Sequence, residues 1–173
     1  MRKMFSEKDT DPADASLRTL IEAVRAGRFE PAIEGLKTFL SVQPRNEIAT
    51  GLLAASYFQI GLLDRAQALY ERVLELNPLN ALARFQLGMT QLSLRAPRAA
   101  LTTWEPLLET QNEFMARFHS ALAHLELGER GPARTLLDEA AKNMPASHPL
   151  AGRLRALRSQ LGAAQTSSMS IST

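Results

Sequence analysis

Between Asn46 and Pro78 apolar positions recur at the spacing of an amphipathic helix, stop, and begin again. Ile48, Leu52, Ala55 and residues 57–60 form the first run, and Gly61 interrupts it. Leu63, Ala66, Leu69, Val73, Leu74 and Leu76 form the second, which Pro78 closes. The pattern predicts two helices joined by a tight turn. Shifting this stretch back by 34 residues places Gly61 on Gly27, Ala66 on Ala32 and Pro78 on Pro44, so turn, helix crossing and terminator coincide. A period of this length marks a helical repeat, and a hairpin that cannot bury its apolar face alone must stack on its neighbours. The expected fold is therefore an all-α solenoid.

The same landmarks divide the rest of the chain. Residues 1–12 are polar and charged, lack periodicity and read as a disordered leader. The first repeat, about 13–45, has a helix from Asp14 through Leu17, Leu20, Ile21 and Val24, a turn at Gly27, and a second helix carrying Phe29, Ile33, Leu36, Phe39 and Leu40. Pro31 falls in that helix's first turn, where a missing N–H is tolerated. The second repeat is 46–79 and the third 80–112, with Asn46 and Asn80 as matching N-caps 34 residues apart. In the third, Arg95 replaces the turn glycine, Trp104 takes the place of Tyr70, and Asn112 replaces the closing proline. Pro106 lies inside its second helix, which predicts a kink near Trp104 and a hinge between the third and fourth hairpins. The fourth repeat, 113–146, follows at an offset of 33, with Gly128, Ala133 and Pro145 as landmarks. Residues 147–162 predict an amphipathic capping helix with Leu150, Leu154, Leu157 and Leu161 on one face. Residues 163–173 read as a flexible tail.

Composition narrows the function classes. Lys+Arg 20 against Asp+Glu 18 leaves a net charge of only +2, which argues against a basic nucleic-acid footprint. With no cysteine, disulfides, thiolate catalysis and thiolate metal sites are excluded. The N-terminus is charged where a signal peptide needs an apolar core, and no run of about 18 apolar residues could span a bilayer, so a cytoplasmic location is expected. The preference for Arg over Lys is a habit of high-GC bacterial sequences.

Taken together these landmarks resemble the tetratricopeptide repeat (TPR), over about residues 13–162. The second repeat carries the pattern as Leu53-Ala54, Tyr57, Gly61, Ala66, Tyr70 and Pro78, and the third as Leu87-Gly88, Ala100 and Trp104. The fourth has Ala121, Gly128, Ala133 and Pro145; the first has Gly27, Ala32 and Pro44. The large aromatic early in each first helix is missing, replaced by Ser16, Thr50, Arg84 and Arg117. The resemblance implies a right-handed superhelical solenoid in which first helices line a concave groove. That lining would comprise Leu17, Ile21, Ile48, Ala55, Phe58, Phe85, Met89, Leu92, Phe118 and Leu122. It is apolar for a solvent-facing surface, and exposed apolar patches mark interaction sites. Family members that grip chaperone C-terminal carboxylates use Lys, Asn and Arg where this chain has Leu17, Ile21, Leu82 and Gln86, so that clamp is absent.

No arrangement of residues suggests catalysis or a cofactor. His119 and His124 are five apart on one helix, hence about 140° apart around its axis, and His148 is distant in sequence; no metal site is expected. Gly-x-Ser-x-Gly, His-Glu-x-x-His and phosphate-cradling glycine loops are missing. Arg153, Arg155 and Arg158 read as a solvated face of the capping helix. The expected function is a non-enzymatic adaptor or chaperone that holds a protein or peptide segment by its apolar anchors. Two alternatives are a chaperone of the type III secretion kind and an assembly subunit whose groove is filled by a copy of itself.

Overall fold

The computed structural model describes residues 12–109 and 114–169. Among these there are nine helices and no strand. They are α1 (Pro12–Arg25), α2 (Phe29–Val42), α3 (Glu47–Gln59), α4 (Leu63–Leu76), α5 (Ala81–Ser93), α6 (Pro97–Leu108), α7 (Phe114–Glu126), α8 (Arg130–Asn143) and α9 (Ala151–Met169). The chain forms two compact units, residues 1–86 and 87–173, divided within α5.

The four hairpin turns are built alike. In each, one residue with positive φ follows the first helix: Gly27 (73°), Gly61 (79°), Arg95 (61°) and Gly128 (76°). Around it two backbone bonds close the helix end, Gly61 N to the Phe58 carbonyl (3.1 Å) and Leu62 N to that of Tyr57 (2.9 Å), with equivalents at the other three. This is the Schellman arrangement, which satisfies the last carbonyls of a helix by passing through the left-handed region. Arg95 adopts it without being glycine, at a cost of about 1–2 kcal/mol.

The turns between hairpins depend on asparagine. Asn46 Oδ1 accepts from Ala49 N (2.9 Å) and Asn80 Oδ1 from Ala83 N (2.7 Å), capping α3 and α5 identically. The missing aromatics are replaced by polar solutions. Thr50, buried, donates back to the Asn46 carbonyl (2.8 Å). Arg84 donates to the Pro78 carbonyl (2.8 Å), and Arg117 to that of Leu108 (2.6 Å) and to Glu139 (3.3 Å).

In the first unit Ala32, Leu36, Ala54, Ala66 and Val73 are completely or almost completely buried, with small residues where helices cross and larger ones between. In the second unit the same part is taken by Ala100, Trp104, Ala121, Ala133 and Leu137. Leu154 and Leu161 of α9 are buried in one cluster with Phe118, Ala133 and Leu137, while Leu150 and Leu157 pack at its edge. Each such leucine contributes about 1.5–3 kcal/mol. Arg158 Nε donates to Asp138 (2.6 Å), tying α9 to α8 on the solvent side.

Several boundaries differ from those read in the sequence. The first helix starts at Pro12, since proline suits the opening turn. α9 continues to Met169, into the stretch expected to be a tail, because 163–169 lacks glycine and proline and nothing in it stops a helix already nucleated. α6 runs unbroken through Pro106, which lies in its last turn with its ring exposed. The leader through residue 11, the Asn112 terminator and residues 170–173 lie outside the described residues.

Candidate functional site

The first unit contains a cleft of roughly 290 Å³ between α3, α4 and the start of α5. α3 contributes Glu47, Ile48, Gly51, Leu52 and Ala55 to its lining, and α5 contributes Leu82, Ala83 and Gln86. Tyr70 and Val73 of α4 form the floor, and Asn80 stands at one end. Ile48 and Leu82, 34 residues apart and so at the same place in successive repeats, are 59% and 68% exposed. Large apolar side chains left this open in one cleft make a surface that gains by being covered.

Glycine opens the cleft. Following the repeat register, Gly51 is the counterpart of Leu17, Phe85 and Phe118, and it alone brings no side chain. A Cβ there would lie 3.9 Å from Val73 Cγ2, an ordinary contact, so the gap is not required by packing.

The polar end is organised by Glu47. Its carboxylate accepts from Asn77 Nδ2 (3.0 and 3.2 Å to its two oxygens) and from Asn80 Nδ2 (2.6 Å). Asn80 is thereby fully engaged, as a cap on one side and a donor on the other. Burial pushes the Tyr70 phenol up to about 12, so it remains neutral at physiological pH.

Of the ten residues expected to line a groove, Ile48 and Ala55 line this cleft. Ile21, Phe58 and Phe85 in the first unit, and Met89, Leu92 and Leu122 in the second, are half-buried. Leu17 and Phe118 are corrections. Leu17 is buried, and Phe118 is completely enclosed among Ala121, Ala133 and Leu137, so neither offers a binding surface. Helical spacing alone does not distinguish a core face from a groove face when both are apolar. Leu52, Leu82, Tyr70 and Glu47 were missed, although the glycine at position 51 in a register otherwise filled by large side chains was a readable sign.

A second, shallower groove of about 600 Å³ lies against α1 and α2, lined by residues including Leu20, Phe39 and the exposed Val42.

The histidines serve packing. His119 lies with Phe118 edge-on at 5.3 Å and Trp104 at 6.1 Å, and burial, followed by the charge of Arg153, lowers its pKa to about 4. His124 Nδ1 is 2.6 Å from Glu129 Oε2. Among the described residues no cluster of His, Asp or Glu could hold a metal, and no helix is long and apolar enough to cross a membrane.

A family model for the tetratricopeptide repeat matches residues 17–81 and 52–105, together just over half of the chain. Among solved structures, a MamA fragment from Desulfovibrio magneticus RS-1 aligns with a TM-score of 0.75 at 18% identity, covering 93% of this chain and 95% of that one. MamA AMB-1 aligns at 0.68 and 25% identity, over 80% and 82%. YrrB, described as a TPR protein with an unusual peptide-binding site, aligns at 0.74 and 16% identity, over 92% and 81%. No curated protein matches the sequence.

Proposed function

The chain belongs to the tetratricopeptide repeat family, and from that premise we propose that it is a non-enzymatic interaction module, an adaptor or chaperone acting in the cytoplasm, that holds an extended apolar peptide segment of a partner protein in the cleft between α3, α4 and α5. The observation that supports this most is the pair Ile48 and Leu82, large, apolar and more than half exposed in one cleft that Gly51 lines without a side chain. An occupant with two apolar anchors would bury both, and covering each side chain is worth about 1–2 kcal/mol before the cost of ordering the peptide. YrrB shows that a protein of this fold can have a peptide site, but at 16% identity the likeness gives architecture only, so the reading stands on the cleft.

The test is binding of a dye-labelled, uncharged peptide with two leucines two residues apart, followed by fluorescence anisotropy. Ile48→Asp with Leu82→Asp should reduce affinity about tenfold or more, since each adds a charge where an anchor must desolvate. The melting temperature should stay within a few degrees because both residues are exposed. Unchanged binding in the double variant would refute the assignment.

A further inference from the structure

We propose that the cleft selects a segment in which a basic residue stands about two to four positions from an apolar anchor, recognised by the carboxylate of Glu47. The inference rests on the cleft being the peptide site and goes beyond it by stating the chemistry of the occupant.

Three observations lead there. The first is that Glu47 is the one charged side chain among the described residues lining the cleft; the rest of the lining is apolar or neutral. A bound segment therefore meets one formal charge along its path, and that charge is negative.

The second is that the carboxylate is held in place before any ligand arrives. Asn77 and Asn80 donate three contacts of 2.6–3.2 Å to it, two of them to Oε1. Each carboxylate oxygen has two lone-pair directions, and among the described residues Oε2 receives one bond, at 3.2 Å, leaving an acceptor position for an ammonium or guanidinium. Little side-chain entropy remains to be lost on binding, which is the term that normally weakens exposed ion pairs.

The third is that the helix N-termini at the cleft do not favour an anion. The N-termini of α3 and α5, where a helix would favour negative charge, are occupied by the protein's own asparagine caps. Glu47 already stands in the first turn of α3. An acidic ligand would meet the Glu47 carboxylate there.

Position fixes the spacing. Leu52 and Ala55 lie five and eight residues beyond Glu47 on the same helix, roughly 8–12 Å along its axis at 1.5 Å per residue. An extended peptide covers that in about two to four residues.

Two labelled peptides test this, Lys-Gly-Ser-Leu-Ala-Leu-Ser-Gly-Lys and its counterpart with Glu at both ends, acetylated and amidated; their symmetry makes the result independent of chain direction. Wild-type protein at low salt should bind the lysine peptide about fivefold more tightly, the size expected of one ordered ion pair against one repulsion. The preference should fall below about twofold in Glu47→Gln, which keeps the oxygen that the asparagines use. It should fall likewise in the wild type at about 0.5 M salt, where exposed charges are screened within a few ångströms. Equal affinity of the two peptides for wild type, a preference for the acidic one, or a preference that survives Glu47→Gln would overturn the inference while leaving the cleft as a peptide site. Failure of the lysine peptide to bind while the uncharged two-leucine peptide binds would overturn this inference alone, and failure of both would overturn the cleft reading with it.

Discussion

Gly88 and Gly35 are both helix-interior glycines with ordinary backbone angles, yet replacing each with alanine should change stability in opposite directions. In an open site, Gly→Ala within a helix stabilises by roughly 0.5–1 kcal/mol, because glycine loses more backbone freedom on folding. At Gly88 a Cβ would lie 2.7 Å from Trp104 Cδ1 and closer still to its Nε1 and Cε2. Trp104 has no exposed surface, so the indole can move only by displacing the groups that enclose it. Overpacking of that kind costs about 1–3 kcal/mol and outweighs the propensity gain, for a net loss of about 1–2 kcal/mol. At Gly35 the obstacle is one terminal methyl of Leu20, whose other atoms are 3.6 and 3.8 Å away. Leu20 is half-buried beside the α1/α2 groove, so its methyl can swing aside and most of the gain survives. Thermal unfolding should place Gly88→Ala several degrees below wild type and Gly35→Ala level with it or up to about 4 °C above, at about 2–4 °C per kcal/mol for a chain of this size. Trp104 is the sole tryptophan, so its emission should shift in Gly88→Ala and not in Gly35→Ala. A Gly88→Ala protein as stable as wild type with unchanged emission would show that the indole is not confined, and the argument from close approach would fail.

Ser120 Oγ is buried with no hydrogen-bond partner among the described residues, so Ser120→Ala should raise stability by about 1 kcal/mol, read as a higher denaturant midpoint at unchanged slope. Lowering of the His119 pKa to about 4 means the unfolded chain takes up the proton first. The stability it provides is therefore complete above its ordinary 6.5, lost as pH falls through that window, and absent below about 4. That loss is at most on the order of 3 kcal/mol, and His119→Gln should flatten the acid limb between pH 6.5 and 4. Leu154→Ala, at a site 3% exposed, should cost about 2–5 kcal/mol if α9 seals the second unit, measured by chemical denaturation.

The repeat period, the turn residues, the asparagine caps and the part played by Arg95 could all be read from the chain, because each depends on residues near one another in sequence. A turn needs a left-handed residue three and four positions after the carbonyl groups it helps to satisfy, and a cap needs an acceptor three before its amide; local rules of that sort survive folding. The outcome at Phe85 and Phe118 could not be read in this way. They share a register, yet one is half-buried and the other fully enclosed, because exposure depends on what α8 and α9 bring to Phe118 from later in the chain. The cleft likewise needed tertiary structure to show that Ile48 and Leu82 line one cavity and that two asparagines 30 and 33 residues away orient Glu47. Periodicity told which residues are apolar on one side of a helix; only packing decided which of those sides another helix covers.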